Sequence, residues 1–463
     1  MSMTSENTKH PKIERLKRNM FFRNTRRVLN NPVAFLGDLA KNYGPVVRIN
    51  IAGKKYVILQ DPEFIKHVLS ENHRAYSKFG ITKILRLFFG EGLVTSNGEL
   101  WIKKRRLIQP AFHKQKLAHF LNIINEETSI FIQELDKLPS GSQLNMSREM
   151  LQLNVSIVNR SLFSNANKEE MESMIVVLED LTNYATKWMR SIIKIPISWP
   201  TPTNIKFHKN CEEYDRIIYA MIERRKVYKK ESTLPPHNDL LDMLLDYVDE
   251  DSNDEMTDKQ LRDEITTMFM AGHDTTAQTL SWIFYELAKN KEISRKLNRE
   301  VADILNEELL KFEDISKLVY TNKVIKEGMR HYPSISAIQR RPYKQDVFKG
   351  IKFKASTHIL INIYGMHHHP KYWDSPEIFN PERFTAEAEQ QRPTFVYLPF
   401  GGGPRRCIGS NFATIVMQVV VSRLLKRFEF DVPKGYKPEI VPNITIKPKD
   451  GIPLILRKVK LKN

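Results

Sequence analysis

Phe400-Gly-Gly-Gly-Pro-Arg-Arg-Cys-Ile-Gly409 decides how the rest of this chain is read. A cysteine, Cys407, stands behind a glycine-rich turn that carries arginines, and a helix-like run from Asn411 to Phe428 follows it. Glycines let backbone approach a bulky flat partner and take up turn geometries that other residues resist. A thiolate just ahead of a helix N-terminus meets free backbone N–H groups and the positive end of the helix dipole. That arrangement presents an anionic sulfur to a metal. A lone cysteine in a Gly-rich loop is ordinarily a small buried residue. What sets this one apart is that every position of F-x-x-G-x-R-x-C-x-G is filled, by Phe400, Gly403, Arg405, Cys407 and Gly409.

Working back toward the N-terminus, Asp258 to Lys289 has helical periodicity over about nine turns. Its middle reads Ala271-Gly-His-Asp-Thr-Thr276. Gly, Asp and Thr are poor residues for the centre of a helix, and local conflict of this kind often marks function. Threonine hydroxyls bond back to a preceding carbonyl and loosen the ladder there. Further back, Trp101 and Arg105 are four apart, so on a helix they share a face and offer donors to a carboxylate. Glu327 and Arg330 are one helical turn apart, ahead of a His331-Tyr332-Pro333 stop. Phe379-Asn-Pro-Glu-Arg-Phe384 follows at long range. Each of the last three signals is weak by itself. Taken together, and in this order, they are specific.

The set resembles the cytochrome P-450 family, across essentially the whole chain. The resemblance implies a mainly α, single-domain cytochrome P-450 fold with a small β-rich lobe. It implies haem b (iron protoporphyrin IX), with Cys407 as the axial metal ligand and Phe400 shielding its sulfur. Trp101, Arg105, Arg340 and Arg405 would anchor the haem propionates, with Arg341 a substitute for Arg340. Gly403 and Gly409 would shape the cysteine loop, and Ala271 and Gly272 would border the haem and leave room for oxygen. Asp274 and Thr275 would be the catalytic pair that delivers protons to dioxygen, with His273 a bystander. Glu327, Arg330 and Arg383 would form a buried ion-pair network that locks the cysteine loop. The implied reaction inserts one atom of O₂ into an organic substrate. Alternatives on the same fold are a peroxygenase or isomerase without O₂ activation, and a non-catalytic haem binder; the Asp274-Thr275 pair argues against both.

Bulk properties fit this reading. The chain has 463 residues and no linker, repeat or low-complexity block, so residues 28–463 are expected to form one domain after a basic, flexible arm over 1–27. Two cysteines, Cys211 and Cys407, exclude a disulfide framework and suit a reducing cytoplasm. No apolar run of membrane-spanning length and no secretory signal is visible near the N-terminus, so no transmembrane segment is expected. The formal charge of +18 is scattered, which does not favour nucleic acid as a partner. Electrons are expected from a separate acidic ferredoxin- or flavodoxin-type donor with its reductase, docking near Lys103, Lys104, Arg106 and Arg406.

The remaining stretches carry coarser expectations. Val46 to Leu59 reads as two strands around Gly53, and Lys114 to Lys230 as helices interrupted by a proline-rich loop, Trp188 to Pro202. His237 to Asp258 reads as an acidic surface connection, and Asn443 to Leu456 as a terminal hairpin around Asp450-Gly451. The adjacent His367, His368 and His369 cannot all face one ion and are read as surface. Phe79, Ile81, Leu85, Leu87, Phe88 and Phe89, with Ile335, Ala337 and Ile338, are expected to wall a pocket for an apolar lipid, fatty-acid or terpenoid substrate. Lys83 and Arg86 point to solvent in that picture, or pair with a fatty-acid carboxylate.

Overall fold

A computed structural model describes the chain except residues 1–12, 17–20, 52, 165–166, 192–193, 232–238, 249–254, 306–308, 443–444 and 460–463. The fold is mainly helical with small sheets. It groups into two compact units, each assembled from separated stretches of chain. Such interleaving explains why no linker marks a boundary in the sequence.

The β-rich unit takes in Met1–Gly80, Ile335–Glu377 and Gln390–Arg406. Its six-stranded sheet runs Glu14–Arg15, Val46–Ile51, Lys54–Leu59, His358–Asn362, Ala337–Pro342 and Tyr76–Ser77. Val46–Ile51 and Lys54–Leu59 form the expected antiparallel pair, with Val47 opposite Ile58. Beneath it the helix Pro32–Asn42, started by the Asn31 side chain and Pro32, buries Phe35, Leu36 and Leu39 against Val47, Ile49 and Ile58. Part of the stretch read as an arm has regular structure here: Glu14–Arg15 pairs with Val47–Arg48, and Phe21–Asn30 is a helix.

The helical unit takes in Ile81–Ser334, Ile378–Glu389 and Cys407–Asn463. Its central helix runs Asp258–Lys289, with the bounds the periodicity predicts, because Thr257 and Gln260 cap its start reciprocally. The helices Met146–Leu162, Pro202–Glu231 and Ser410–Arg427 pack around it. Two expectations need correction here. The stretch after His237 is not all surface: Leu240, Leu241 and Leu244 are buried on the helix Leu240–Leu245, and Asp239 and Asp242 bond buried Arg225 at 2.9 and 2.7 Å. Nor does the tail close a hairpin at Asp450-Gly451. Ile446–Pro448 pairs with Ile440–Pro442, whereas Pro453–Lys458 lies between Phe428–Asp431 and Gln143–Asn145. Strand partners are set by long-range burial, which the alternation in one segment does not encode.

Candidate active site

In the helical unit the site is built on the central helix. Every residue from Leu261 to Ala288 is buried except Ala271, Gly272 and Thr275. These three are spaced so that they share one face, and they open a small neutral window in an otherwise covered helix. Thr275 Oγ1 donates to the Ala271 carbonyl at 2.9 Å, the expected back-bond, yet the helix continues unbroken. Gly272 has a packing role as well: an added Cβ would stand 3.3 Å from Val158 on the neighbouring helix. Asn154, which sequence reading missed, donates to the carbonyls of Gly272 and His273 at 2.8 and 2.5 Å. It pins the motif's backbone from Met146–Leu162, and no local signal announces it. His273 is buried, bonds the Phe269 carbonyl at 3.0 Å and stacks on that ring. Burial holds its pKa below the usual value, against the pull of neighbouring Asp274.

Asp274 points elsewhere. It is 5 % exposed, and its Oδ1 takes the Lys447 ammonium at 2.8 Å and the Gln278 amide at 3.2 Å. Its Oδ2 takes the Thr445 hydroxyl at 2.6 Å. Burial alone would raise this carboxyl. Lys447, neighbouring His273 and the Thr445 hydroxyl overcome that and hold it below the usual range.

Cys407 is exposed and reduced, two residues ahead of Gly409, which caps the helix Ser410–Arg427. That is the position at which backbone N–H groups favour a thiolate. Arg105 is close enough to act on it: burial lowers the Arg105 pKa, and the Cys407 sulfur opposes this. Trp101 is buried on the same helix, Gly98–Ile108. Lys104, expected on a docking surface, is instead buried and paired with Glu264 at 2.5 Å. The Glu264 carboxyl also accepts from Leu93 N at 3.0 Å. The pairing spans 160 residues and leaves no trace in the local pattern.

The buried ion-pair network forms as expected. Glu327 receives Arg330 at 2.7 and 2.8 Å, Arg383 at 3.5 Å and the Asn380 backbone N–H at 2.8 Å. It ties the helix Val319–His331 to the segment Ile378–Arg383.

In the β-rich unit, Arg340 is 7 % exposed on the strand Ala337–Pro342. Its hydrogen bond goes to its neighbour's carbonyl, Gln339 O, at 2.9 Å, and it makes no ion pair with any described residue. Burial pushes its pKa down to about 9, and the charge of Arg405 adds to this. Arg405 is itself taken down to about 10 by burial, against an opposing contribution from Tyr343. Two half- to fully buried guanidiniums acting on each other call for an anion. Arg341, the alternative to Arg340, lies over the Phe79 ring at 4.7 Å. Gly403 has φ +68°, and a Cβ there would lie 1.8 Å from the Leu69 carbonyl, so only glycine fits. Gly401 is likewise left-handed at +71°, and Phe400 is half-buried. His367 corrects the surface reading of the histidine run. It is fully buried, and its Nε2 accepts from Leu398 N at 2.8 Å. No metal-binding cluster of His, Cys, Asp and Glu occurs among the described residues.

Taken by itself, each unit fits its part of a haem site: the helical unit offers a thiol ahead of a helix and a neutral window on a buried helix, and the β-rich unit offers a buried arginine that pairs with no carboxylate among the described residues. The comparisons agree. A model of the cytochrome P450 family matches residues 15–455. The chain is 30 % identical over 449 residues to protein LUTEIN DEFICIENT 5, chloroplastic, of Arabidopsis thaliana, covering 91 % of this chain and 73 % of that one. It is 31 % identical over 389 residues to cytochrome P450 4F1 of Rattus norvegicus, covering 80 % and 74 %. It is 27 % identical over 446 residues to putative cytochrome P450 132 of Mycobacterium tuberculosis (strain CDC 1551 / Oshkosh), covering 92 % of each. The chain belongs to the cytochrome P450 family. It is a haem-thiolate monooxygenase that uses O₂ and electrons from redox partners.

Proposed function

We propose that the chain hydroxylates an apolar substrate of the lipid, fatty-acid or terpenoid class, using haem b. The observation that carries this reading is the window Ala271, Gly272 and Thr275, which offers no charge to a ligand on a helix buried everywhere else between Leu261 and Ala288. Cys407 would hold the iron, Arg340 and Arg405 the propionates together with Trp101 and Arg105, and Gly403 and Gly409 would shape the loop. When bound, the haem would supply oxygen activation, which a thiolate ligand favours. The protein's own part is to exclude water around the window, orient the substrate and move protons through Asp274 and Thr275.

The expected wall is revised. Leu85, Phe88 and Phe89 pack into the core, Phe88 against Phe89 and Phe207, while Leu87 is 49 % exposed. The Ile81 side chain lies outside the described residues. Phe79, Ile335, Ala337 and Ile338 remain as apolar candidates. Lys83 is exposed, and Arg86 donates to the Thr95 carbonyl at 3.0 Å, so neither is reserved for a carboxylate. Titration with long-chain acids and neutral terpenoids, following the haem spin state, tests this. A shift with either class that is indifferent to Lys83→Ala and Arg86→Ala is expected. An acid-induced shift lost in Arg86→Ala would restore the ion-pairing alternative. Tight binding of a small polar sugar, with no response to lipids, would overturn the apolar reading.

The electron donor in this proposal is an acidic ferredoxin- or flavodoxin-type protein. Lys103 and Arg106 are exposed on the helix that carries Trp101 and Arg105, and Arg406 is exposed beside Cys407 in sequence. Reduction by the true partner should slow steeply as salt rises. A rate unchanged between low and high salt would exclude charge-steered docking. A cytoplasmic location rests on the two free cysteines and is checked by cell fractionation. No described helix is long and apolar enough to cross a membrane.

A further inference from the structure

Asp274 is the acid of the proposed proton pair, yet in this structure it makes no bond to Thr275. All of its side-chain partners lie on the other side: Lys447, Thr445 and Gln278. Thr445 and Lys447 are two apart, and alternate residues of an extended segment share a face. Between them Ile446 turns the opposite way, into the core. Its backbone is fixed at both ends: Ile446 N donates to Ser334 O at 3.0 Å, and Trp282 Nε1 donates to Ile446 O at 3.3 Å. Ser334 in turn donates to the Thr275 carbonyl at 3.2 Å. The strand Ile446–Pro448 is thus strapped to the central helix, with two donors aimed at one carboxylate. The Asp274 side chain is 7 % exposed and that of Lys447 is 26 % exposed, so the lysine spans from the buried acid to water.

We propose that Lys447 and Thr445 are positioning residues for the proton supply, latching the Asp274 carboxylate in its ionised form on the strand side until the latch opens. This rests on the reading of Asp274 as the proton carrier. The proton comes from bulk water and forms an O–H bond on the oxygen that Lys447 releases. The bond breaks again when the proton is passed toward the Thr275 face. The titratable groups acting on Asp274 among the described residues are Lys447 from the strand and His273 from its own helix; Asn154 and Gln278, which also approach this part of the helix, are neutral.

The first test needs no turnover. With the latch intact, the carboxyl titrates below its unfolded value, near 4. Its contribution to stability is therefore present above that value and is lost as pH falls through the folded pKa. In Lys447→Met the carboxyl stays buried without its ammonium, so it takes up a proton more readily folded than unfolded, and its cost is relieved on acidification. The gap in melting temperature between wild type and Lys447→Met should accordingly be widest at pH 7 and narrow toward pH 5. Lys447→Arg should close most of the gap, and in the Asp274→Asn background the gap should lose its pH dependence. A gap constant with pH, or unchanged in that background, would overturn the latch and leave Lys447 a mere packing residue.

The second test is catalytic. Lys447→Met should move the acid limb of the product-formation profile upward by a pH unit or more, with KM unchanged, and Lys447→Arg should restore it. An unmoved limb would overturn the latch as a control on proton supply. The references are Asp274→Asn and Thr275→Ala, in which NADPH oxidation should continue while product falls and peroxide rises. If Asp274→Asn leaves coupling intact, Asp274 is not the proton carrier, and the catalytic role of the latch falls with it. The melting experiment still decides whether the latch exists.

Discussion

Cys407→His is expected to bind haem, to lose the red-shifted carbon-monoxide band of thiolate ligation, and to lose turnover to background. Cys407 is exposed just ahead of an 18-residue helix, with Arg105 acting on its sulfur, so the site tolerates a ligand of similar reach. An imidazole would also ligate the iron, but it is neutral. It supplies none of the electron density with which a thiolate favours O–O cleavage. Haem retention and loss of chemistry should therefore separate in this variant. A thiolate-type band that survives the substitution would remove Cys407 from its assigned place, since Cys211 would be the remaining candidate. Cys211 is a poor one, because burial pushes its thiol up to about 12.

Glu327→Ala is expected to cost roughly 3–5 kcal/mol of stability, measured as a fall in the denaturant midpoint at unchanged slope. Both Glu327 and Arg330 are completely buried, and the carboxylate also serves Arg383 and the Asn380 N–H. Removing it strands a guanidinium with no water to replace its partner. It also frees the junction between Val319–His331 and Ile378–Arg383. Arg383→Met should cost far less, about 1 kcal/mol, because Arg383 is partly exposed and its contact is longer, at 3.5 Å. A loss below about 1 kcal/mol in Glu327→Ala would mean that water replaces the carboxylate, against the burial seen here.

Much of this protein was determined by the sequence alone. The central helix, its capping residues and its bounds follow from local periodicity and hydrogen-bond chemistry, which act within a few residues. The family follows from a motif in which Gly403 is irreplaceable, because a left-handed turn passes against the Leu69 carbonyl. The Glu327–Arg330 pair was legible for the same reason, one helical turn separating its members. Other features were decided only by tertiary structure. Lys104 looked like part of a basic surface run, and its burial against Glu264 depends on a helix 160 residues away. His367 looked like one of three surface histidines, and its burial depends on the loop that brings Leu398 N to its ring. The latch on Asp274 joins residues 171 apart, from a strand whose partner the sequence pattern assigned elsewhere. Local signals report what a segment prefers by itself. Which buried charge meets which partner is settled by the packing of segments far apart in the chain, where an unpaired charge is too costly to leave.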